Sequence, residues 1–249
     1  MTKVGLMLYT LREECAADFE GTLRAVAEIG YEGVELFDLH GLAAAEARSL
    51  LDELELEVAG RHAGLDAIRT DLPELAAELA VLGSDRLILS WIDPPESDAD
   101  ARAAVATIRE AARLTDAVGL RFGFHNHWAE LERFEGGSVL DSLLTLPADE
   151  LWLELDLGWA WVAGTDPVEL LERANGRSPL VHVKDFRSRE GREFCPVGDG
   201  AVGYDRVLPA ALAAGVDWLL VEQDETEGSG LDAVGRSFDA VQRFLKVAA

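Results

Sequence analysis

The sequence predicts a parallel (β/α)₈ TIM barrel that forms a single domain over residues 1–249. Short apolar runs alternate eight times with helical patterns, and polar motifs close several of these runs. Parallel strands require crossover helices, and eight strand–helix units fit a chain of about 250 residues. The chain carries no low-complexity linker or shift in composition that would mark a second domain.

Eight strands are predicted from short apolar runs bounded by turn residues. Their predicted ranges are 4–8, 33–37, 57–61, 86–91, 120–125, 151–156, 180–184 and 218–222. The first predicted helix spans residues 18–29, because Asp18 is a good N-terminal cap and Gly30 a good stop. Gly119 and Gly215 predict helix ends ahead of the fifth and eighth strands.

A doubly wound open sheet is the alternative fold, and it usually carries a glycine-rich phosphate turn after its first strand. Residues 9–13 supply no such turn. The segment Gly198–Gly203 matches the pattern GxGxxG, but it follows the seventh strand and contains Asp199 where a pyrophosphate would approach. We therefore interpret this segment as a flexible rim of a pocket.

Composition limits the partners of the chain. Its 22 basic and 47 acidic residues give a formal charge of −25, which would repel a nucleic acid backbone. No run of eighteen apolar residues and no signal-peptide pattern occurs, so we expect a cytoplasmic protein that does not enter membranes.

Cys15 and Cys195 are expected in loops as free thiols. Barrels of this size often associate, but no residue pattern indicates which face would form a homo-oligomer.

Three carboxylates and one imidazole fall at the carboxyl ends of four consecutive predicted strands. Glu130 follows the fifth strand, Asp156 ends the sixth, His182 lies in the seventh and Glu222 ends the eighth. Active sites of TIM barrels lie at this end of the strands. The oxygen-rich set predicts one divalent metal ion, Mn²⁺ first, with Mg²⁺, Co²⁺ or Zn²⁺ as alternatives.

These motifs give the chain a resemblance to the sugar phosphate isomerase/epimerase family, the xylose isomerase-like TIM barrels that include inosose dehydratases and ketose 3-epimerases. The motifs that carry it are His125-Asn126-His127-x-x-Glu130, Leu155-Asp156, Gly164-x-Asp166-Pro167, His182-Val183-Lys184-Asp185, Val197-Gly198-x-Gly200 and Val221-Glu222-Gln223-Asp224. The resemblance covers nearly the whole chain and implies the same four metal ligands. Many members carry a histidine three residues after the aspartate of strand six. This chain has Trp159 there, as in some branches that resemble inosose dehydratases.

The residue types predict chemistry next to a carbonyl group. A divalent ion that binds a carbonyl and an adjacent hydroxyl stabilises an enediolate, while Glu130 and Glu222 would remove and return the proton. This predicts an isomerase or epimerase acting on a small keto-sugar or polyol. Elimination of a β-hydroxyl from the same intermediate would make the protein a dehydratase of the inosose type.

Four further residues are predicted to contact substrate: His62, Trp91, His127 and Lys184. His62 and Trp91 end the third and fourth strands, although packing explains such residues nearly as well. Lys184 is interpreted either as a cation for the substrate or as the partner of Asp185 or Asp156. His125 is interpreted as a supporting residue on the other side of its strand from His127, and Glu35 stays ambiguous.

Two other functions fit parts of the pattern. The endonuclease IV group has a related barrel but needs a cluster of metals, and five histidines with a charge of −25 count against it. A metal-dependent barrel that binds a sugar without catalysis is the other alternative, because fold does not fix function.

Overall fold

A closed barrel of eight parallel strands forms the centre of the protein in the computed structural model, which describes residues 2–248. The strands are β1 Lys3–Met7, β2 Gly33–Leu36, β3 Glu57–Ala63, β4 Arg86–Leu89, β5 Arg121–His125, β6 Trp152–Asp156, β7 Leu180–Val183, β8 Asp185–Phe186, β9 Phe194–Cys195 and β10 Trp218–Val221. Strands β8 and β9 form a separate antiparallel pair, and the other eight close in the order β1-β10-β7-β6-β5-β4-β3-β2. The predicted TIM barrel is confirmed.

Helices follow the barrel strands and cover the outside. They are α1 Arg12–Ala17, α2 Phe19–Ile29, α3 Ala44–Glu53, α4 Leu65–Thr70, α5 Leu72–Leu82, α6 Asp98–Asp116, α7 Val139–Leu144, α8 Leu157–Val162, α9 Pro167–Ala174, α10 Tyr204–Ala213 and α11 Gly230–Ala248. Short 3₁₀ helices lie at Leu8–Leu11 and Ala129–Leu131. In the part of the chain that the structure describes, no helix has both the length and the apolar character needed to cross a bilayer.

The predicted helix boundaries agree with the structure where a cap decides them. The Asp18 side chain accepts a hydrogen bond from the Gly21 N–H at 2.9 Å and opens α2, which ends at Gly30 in the left-handed conformation. Gly119 and Gly215 also have positive φ angles, of 81° and 79°. The expectation of a loop around Cys15 was wrong, because an additional helix, α1, occupies this segment.

Two apolar layers hold the fold together. The larger lies between the strands and the surrounding helices, and the smaller fills the amino end of the barrel. We call the smaller layer the apolar plug; it consists of Ala59, Ile88, Trp152, Leu180, Trp218 and Leu220. The plug closes the barrel below the polar residues described next.

Gly158, in the first turn of α8, allows this helix to approach β7. A Cβ atom at residue 158 would collide with the backbone carbonyl group of Lys184. We expect Gly158→Ala to lower the free energy of unfolding by about 1–3 kcal/mol, as overpacking of a close contact does. Urea unfolding of the purified variant measures this change.

Gly235→Ala is the matched control, because a Cβ atom at this position in α11 meets open space. Alanine is the better helix former by up to ~1 kcal/mol, so the control should be as stable as the parent protein or more stable. Equal stability of the two variants would contradict the close approach at Gly158.

Candidate functional site

The candidate site lies inside the barrel, directly above the apolar plug. Alternate residues of a strand share a face, so the residues that follow plug residues by two positions also point into the barrel. Leu180 is followed in this way by His182, Leu220 by Glu222, and Trp152 by Glu154. The same alternation that fills the bottom of the barrel therefore places ionisable groups above it.

Four donor groups meet at the carboxyl end of the barrel. His125, Asp156, His182 and Glu222 each offer a ligand atom, and these atoms lie within 4.8 Å of one another. We call this set the mouth group. His182 Nδ1 lies 2.6 Å from Glu222 Oε2, and His125 Nε2 lies 4.0 Å from Asp156 Oδ2. All four side chains are buried.

A second set of donors lies one layer deeper and shares two histidines with the mouth group. This deep group consists of His62, His125, Glu154 and His182. Glu154 Oε2 lies 2.6 Å from His62 Nε2 and 3.3 Å from both His125 Nδ1 and His182 Nε2. Glu35 joins from β2, with Oε2 at 2.8 Å from His182 Nε2. Each shared histidine thus directs one ring nitrogen to the mouth group and the other to a deep carboxylate.

Electrostatics couple the two groups. Burial lowers the pKa of His62, but Glu35 and Glu154 outweigh burial and raise it to about 10. Burial also lowers the pKa of His182, yet Glu154 and Glu222 hold it well above its usual value. Without a bound ion, the surrounding carboxylates therefore favour the protonated form of both rings.

The two mouth carboxylates differ in their environment. Burial raises the pKa of Glu222, but the Lys184 and His182 charges outweigh it and hold the pKa well below its usual value. For Asp156, burial is the largest effect and leaves the pKa raised in spite of Lys184. Asp156 Oδ2 is buried and accepts no well-aligned hydrogen bond within residues 2–248, although Lys184 Nζ lies 3.2 Å away, so this carboxylate oxygen can still turn to a ligand.

Lys184 is held by carboxylates of the site. Its Nζ lies 2.8 Å from Glu222 Oε2, 2.8 Å from Asp224 Oδ1 and 3.2 Å from Asp156 Oδ2. Of the two ion pairs considered from the sequence, the one to Asp156 is present. Asp185 instead accepts hydrogen bonds from the backbone N–H groups of Gly198, Gly200 and Val202.

The glycine-rich segment around Gly198 is therefore organised by an acidic side chain. Its backbone N–H groups point at the Asp185 carboxylate, where a phosphate would bind in a dinucleotide site. This arrangement gives the glycines a structural role in the loop before α10.

Glu130 is buried but lies outside both donor groups. It sits in the 3₁₀ helix Ala129–Leu131, and its Oε2 accepts a hydrogen bond from the His127 N–H at 2.8 Å. Burial raises the pKa of the Glu130 carboxyl, and backbone hydrogen bonds offset this only in part. The structure brings Asp156, His182 and Glu222 together as expected, with His125 as their fourth neighbour. The assignment of Glu130 as a ligand stays a prediction.

The predicted substrate residues surround one cavity of about 650 Å³ at the barrel mouth. His62, Trp91 and His127 line it, together with His125 and Glu222 of the mouth group. The Trp91 and His127 rings meet edge to face at 4.8 Å. Burial lowers the pKa of His127 well below its usual value, with help from His125 and Lys184, so this ring is neutral. Lys184 lies beside the cavity through its contacts with Glu222.

Sequence reasoning did not assign Glu154 to this site, interpreted His125 only as a supporting residue and left Glu35 ambiguous. Placing His125 and His127 on opposite sides of their strand was wrong, because both rings contact each other at 4.8 Å and line the same cavity. Glu154 precedes Asp156 by two positions and shares its strand face, which is a signal that the sequence does contain. Glu35 carries no comparable signal beyond closing an apolar run.

Both cysteines are buried, and we expect them to react slowly in the folded protein. Burial raises the pKa of Cys15 to about 12, with help from Glu14, and burial with Asp185 raises that of Cys195 to about 12. At pH 8 this lowers the thiolate fraction about a thousandfold relative to an ordinary cysteine. The release of thionitrobenzoate from Ellman's reagent, with and without denaturant, measures the difference.

The sign of the pH effect follows from the raised pKa. The neutral thiols contribute stability that is fully present below pH 9, near their ordinary pKa, and is lost as the pH rises towards 12. Rapid stoichiometric labelling of the folded protein at pH 8 would show that the thiols are accessible and that this expectation is wrong.

The protein is a TIM barrel with a buried polar centre at the carboxyl end of its strands. TIM-barrel enzymes have their active sites at this end. Residues 23–246 match the sequence profile described as xylose isomerase-like TIM barrel, and the chain belongs to this family. The resemblance inferred from the sequence motifs is confirmed.

Individual relatives agree with the family. The chain is 24% identical over 246 residues to an inosose dehydratase of Geobacillus kaustophilus, a match that covers 82% of this chain and 79% of that protein. It superposes on a sugar phosphate isomerase/epimerase from Parabacteroides distasonis with a TM-score of 0.82 at 20% identity, covering 95% and 96% of the two chains. An L-ribulose 3-epimerase gives a TM-score of 0.76 at 16% identity, with 100% and 96% covered.

Proposed function

We propose that the protein is a divalent-metal-dependent isomerase or epimerase that removes a proton next to the carbonyl of a keto-sugar. The observation that carries this proposal is the mouth group, in which two carboxylates and two imidazoles converge at the active end of the barrel. We expect it to act in the cytoplasm, where its two free thiols would stay reduced.

The mouth group fits a divalent metal ion. Asp156 Oδ2 and Glu222 offer oxygen ligands, and His125 Nε2 and His182 Nδ1 offer nitrogen ligands on the same side. The mixed oxygen and nitrogen set suits Mn²⁺ first, with Mg²⁺, Co²⁺ or Zn²⁺ as alternatives. When bound, such an ion would polarise a carbonyl and stabilise an enediolate.

The deep carboxylates would position the two histidine ligands. Glu35 accepts from His182 Nε2 and Glu154 lies against His125 Nδ1, which leaves the opposite nitrogen of each ring directed to the mouth. Carboxylates that contact the far nitrogen of a ligand histidine fix its orientation and tautomer. The mouth group is therefore held in place before any ligand arrives.

Glu130 and Glu222 are the proposed proton carriers. Their environments separate their pKa values, because burial raises that of Glu130 while Lys184 and His182 lower that of Glu222. Such a separation is typical of an acid and a base that work in one site. In this proposal Glu222 accepts the substrate proton in its carboxylate form, and Glu130 holds a proton for return.

Dehydration of an inosose is the second candidate function. It is favoured by the inosose dehydratase relatives and by Trp159, which packs beside Trp128 and under Lys184. The same proton removal would then be followed by loss of the β-hydroxyl as water. A barrel that only binds sugar would show neither reaction.

Deuterium exchange tests the proposed function. Protein loaded with Mn²⁺ is incubated in D₂O with ketoses, 3-keto-sugars and inososes; after the ion is removed, NMR follows deuterium entry beside the carbonyl. We expect exchange that EDTA abolishes, and the product separates epimerase, isomerase and dehydratase. Binding of the sugars without exchange would favour the non-catalytic alternative.

A further inference from the structure

Two pairs of aromatic side chains face the cavity from different sides of the barrel mouth. Tyr9 and Phe37 follow β1 and β2, and their rings meet edge to face at 5.5 Å. Trp91 and Trp128 follow β4 and β5, with ring centroids 6.5 Å apart. Around the eight-stranded barrel, β1 lies three strands from β4 and β2 lies three strands from β5. The two aromatic pairs therefore form two walls of one cleft.

Several small residues line the cavity between these walls. Ala63, Gly64 and Ala67 line the cavity from the end of β3 into α4. The cavity volume is about 650 Å³. A hexose has a dozen non-hydrogen atoms, and at the ~30 Å³ that each water molecule takes in the liquid it would fill only about 360 Å³. The roughly 290 Å³ that remain correspond to about ten further non-hydrogen atoms on the same scale, which is the size of one small second ring.

The walls expose apolar surface to solvent. Trp91 is 44% exposed and Tyr9 is 41% exposed, which is unusual for large side chains in a protein whose other aromatic rings are mostly buried. Aromatic faces at a pocket rim bind flat or weakly polar rings without needing charge. These two residues are the outermost parts of the two walls.

The two arginines of the cavity wall already donate hydrogen bonds to the protein. Arg12 Nη1 donates to the carbonyl oxygens of Tyr9 and Asp224, at 3.1 and 2.7 Å. Arg61 Nη1 donates to the Phe37 carbonyl oxygen at 3.0 Å, and its Nε lies 2.6 Å from Glu78. Both arginines thus hold the backbone of the Tyr9 and Phe37 wall.

Acidic and basic groups are mixed along the cavity. Glu222, Asp224 and Glu225 line it against Arg12 and Arg61, and Lys184 is already bound to three carboxylates. Arg192 stacks on Trp128 at 4.2 Å but is not part of the cavity wall. An uncharged ring in the cleft would meet aromatic surface instead of these charges.

We infer that the cleft between Tyr9 with Phe37 and Trp91 with Trp128 is a second binding subsite for an uncharged ring. Together with the mouth group it favours a keto-sugar that carries a second, uncharged ring, in other words an oxidised glycoside. The identity of the reacting sugar rests on the proposed function, whereas the subsite rests on the cleft alone.

Calorimetric titration of the Mg²⁺-loaded protein tests the subsite. The probes are cellobiose, 4-nitrophenyl β-glucopyranoside, glucose and glucose 6-phosphate. Both two-ring compounds should bind about tenfold more tightly than glucose, which corresponds to ~1.4 kcal/mol, and more tightly than glucose 6-phosphate. The stronger of the two-ring probes shows whether a sugar or an aromatic aglycone is the better occupant.

Trp91→Ala should remove the tenfold advantage by weakening both two-ring probes about tenfold more than it weakens glucose, while Trp91→Phe retains most of the advantage. Trp161→Ala is the matched control, since this ring stacks on Arg189 at 4.6 Å and does not line the cavity. The inference is overturned if glucose binds as tightly as both two-ring probes, if neither probe binds at millimolar concentration, or if glucose 6-phosphate binds best. It is also overturned if Trp91→Ala leaves the ratio of the glucose Kd to the two-ring Kd unchanged, or weakens glucose and the two-ring probes by the same factor.

This test is independent of the deuterium experiment. A preference for two rings in a protein that exchanges no substrate proton would reject the enolate function and keep the subsite. Proton exchange on simple keto-sugars without that preference would do the reverse.

Discussion

Glu222→Gln should lower turnover of the identified keto-sugar about 10²–10⁴-fold, the range that a positioned proton acceptor supplies. The amide keeps the shape of the side chain but accepts no proton, and it would also weaken the contacts to His182 and Lys184 at 2.6 and 2.8 Å. Deuterium entry beside the substrate carbonyl is the measurement, with circular dichroism to establish that the variant is folded.

Glu227→Gln is the control for this substitution. Glu227 lies five residues further along the chain, and its side chain is 91% exposed. Turnover by the control should match the parent protein. If Glu222→Gln retains the parent rate under the same conditions, Glu222 does not carry the proton and the acid–base assignment fails.

Glu154→Gln should destabilise the fold by about 3–5 kcal/mol, because it removes one partner from a buried set of charges. Glu154 is fully buried and its Oε2 lies within 3.3 Å of three imidazole rings. The pKa of His62 is about 10 and that of His182 is also raised, so two positive charges would be left with Glu35 as the remaining deep carboxylate. Urea unfolding at pH 7 measures the change in the free energy of unfolding.

Glu53→Gln provides the comparison at the surface. Glu53 pairs with Arg24 at 2.7 Å, and both side chains are exposed. Hydrated ion pairs contribute little, so this variant should unfold like the parent protein. A Glu154→Gln protein with the stability of the Glu53→Gln protein would show that the deep charges are not coupled as the distances indicate.

The strands were predictable because each is a short apolar run that ends in polar residues. All eight predicted ranges overlap barrel strands, and Asp156, His182 and Glu222 meet as their strand ends suggested. The strand following Lys184 and its partner around Cys195 were not anticipated, since two-residue strands have no period to detect. Alternation identifies which face a residue occupies only while the chain remains a strand.

Residues near β5 show both sides of this limit. His125 ends the strand, and a period of two places residue 127 on the same side of the chain, so the opposite placement misapplied the alternation. Glu130 comes after the chain has turned into a 3₁₀ helix, and its assignment as a ligand stays a prediction. Beyond a strand end, side-chain direction depends on the loop backbone, which the sequence pattern does not determine. The pairing of Glu35 with His182 spans 147 residues and depends on the closure of the whole barrel.

The apolar plug has a consequence for the order of events at this site. Trp152 and Trp218 close the amino end of the barrel beneath the histidines, while the cavity opens at the other end. Within residues 2–248, the buried polar centre is reached through the cavity opening at the carboxyl end. An ion and a sugar would therefore enter through the same opening, one after the other. An ion that arrives first would then be covered by the sugar, and substrate would slow its loss to a chelator.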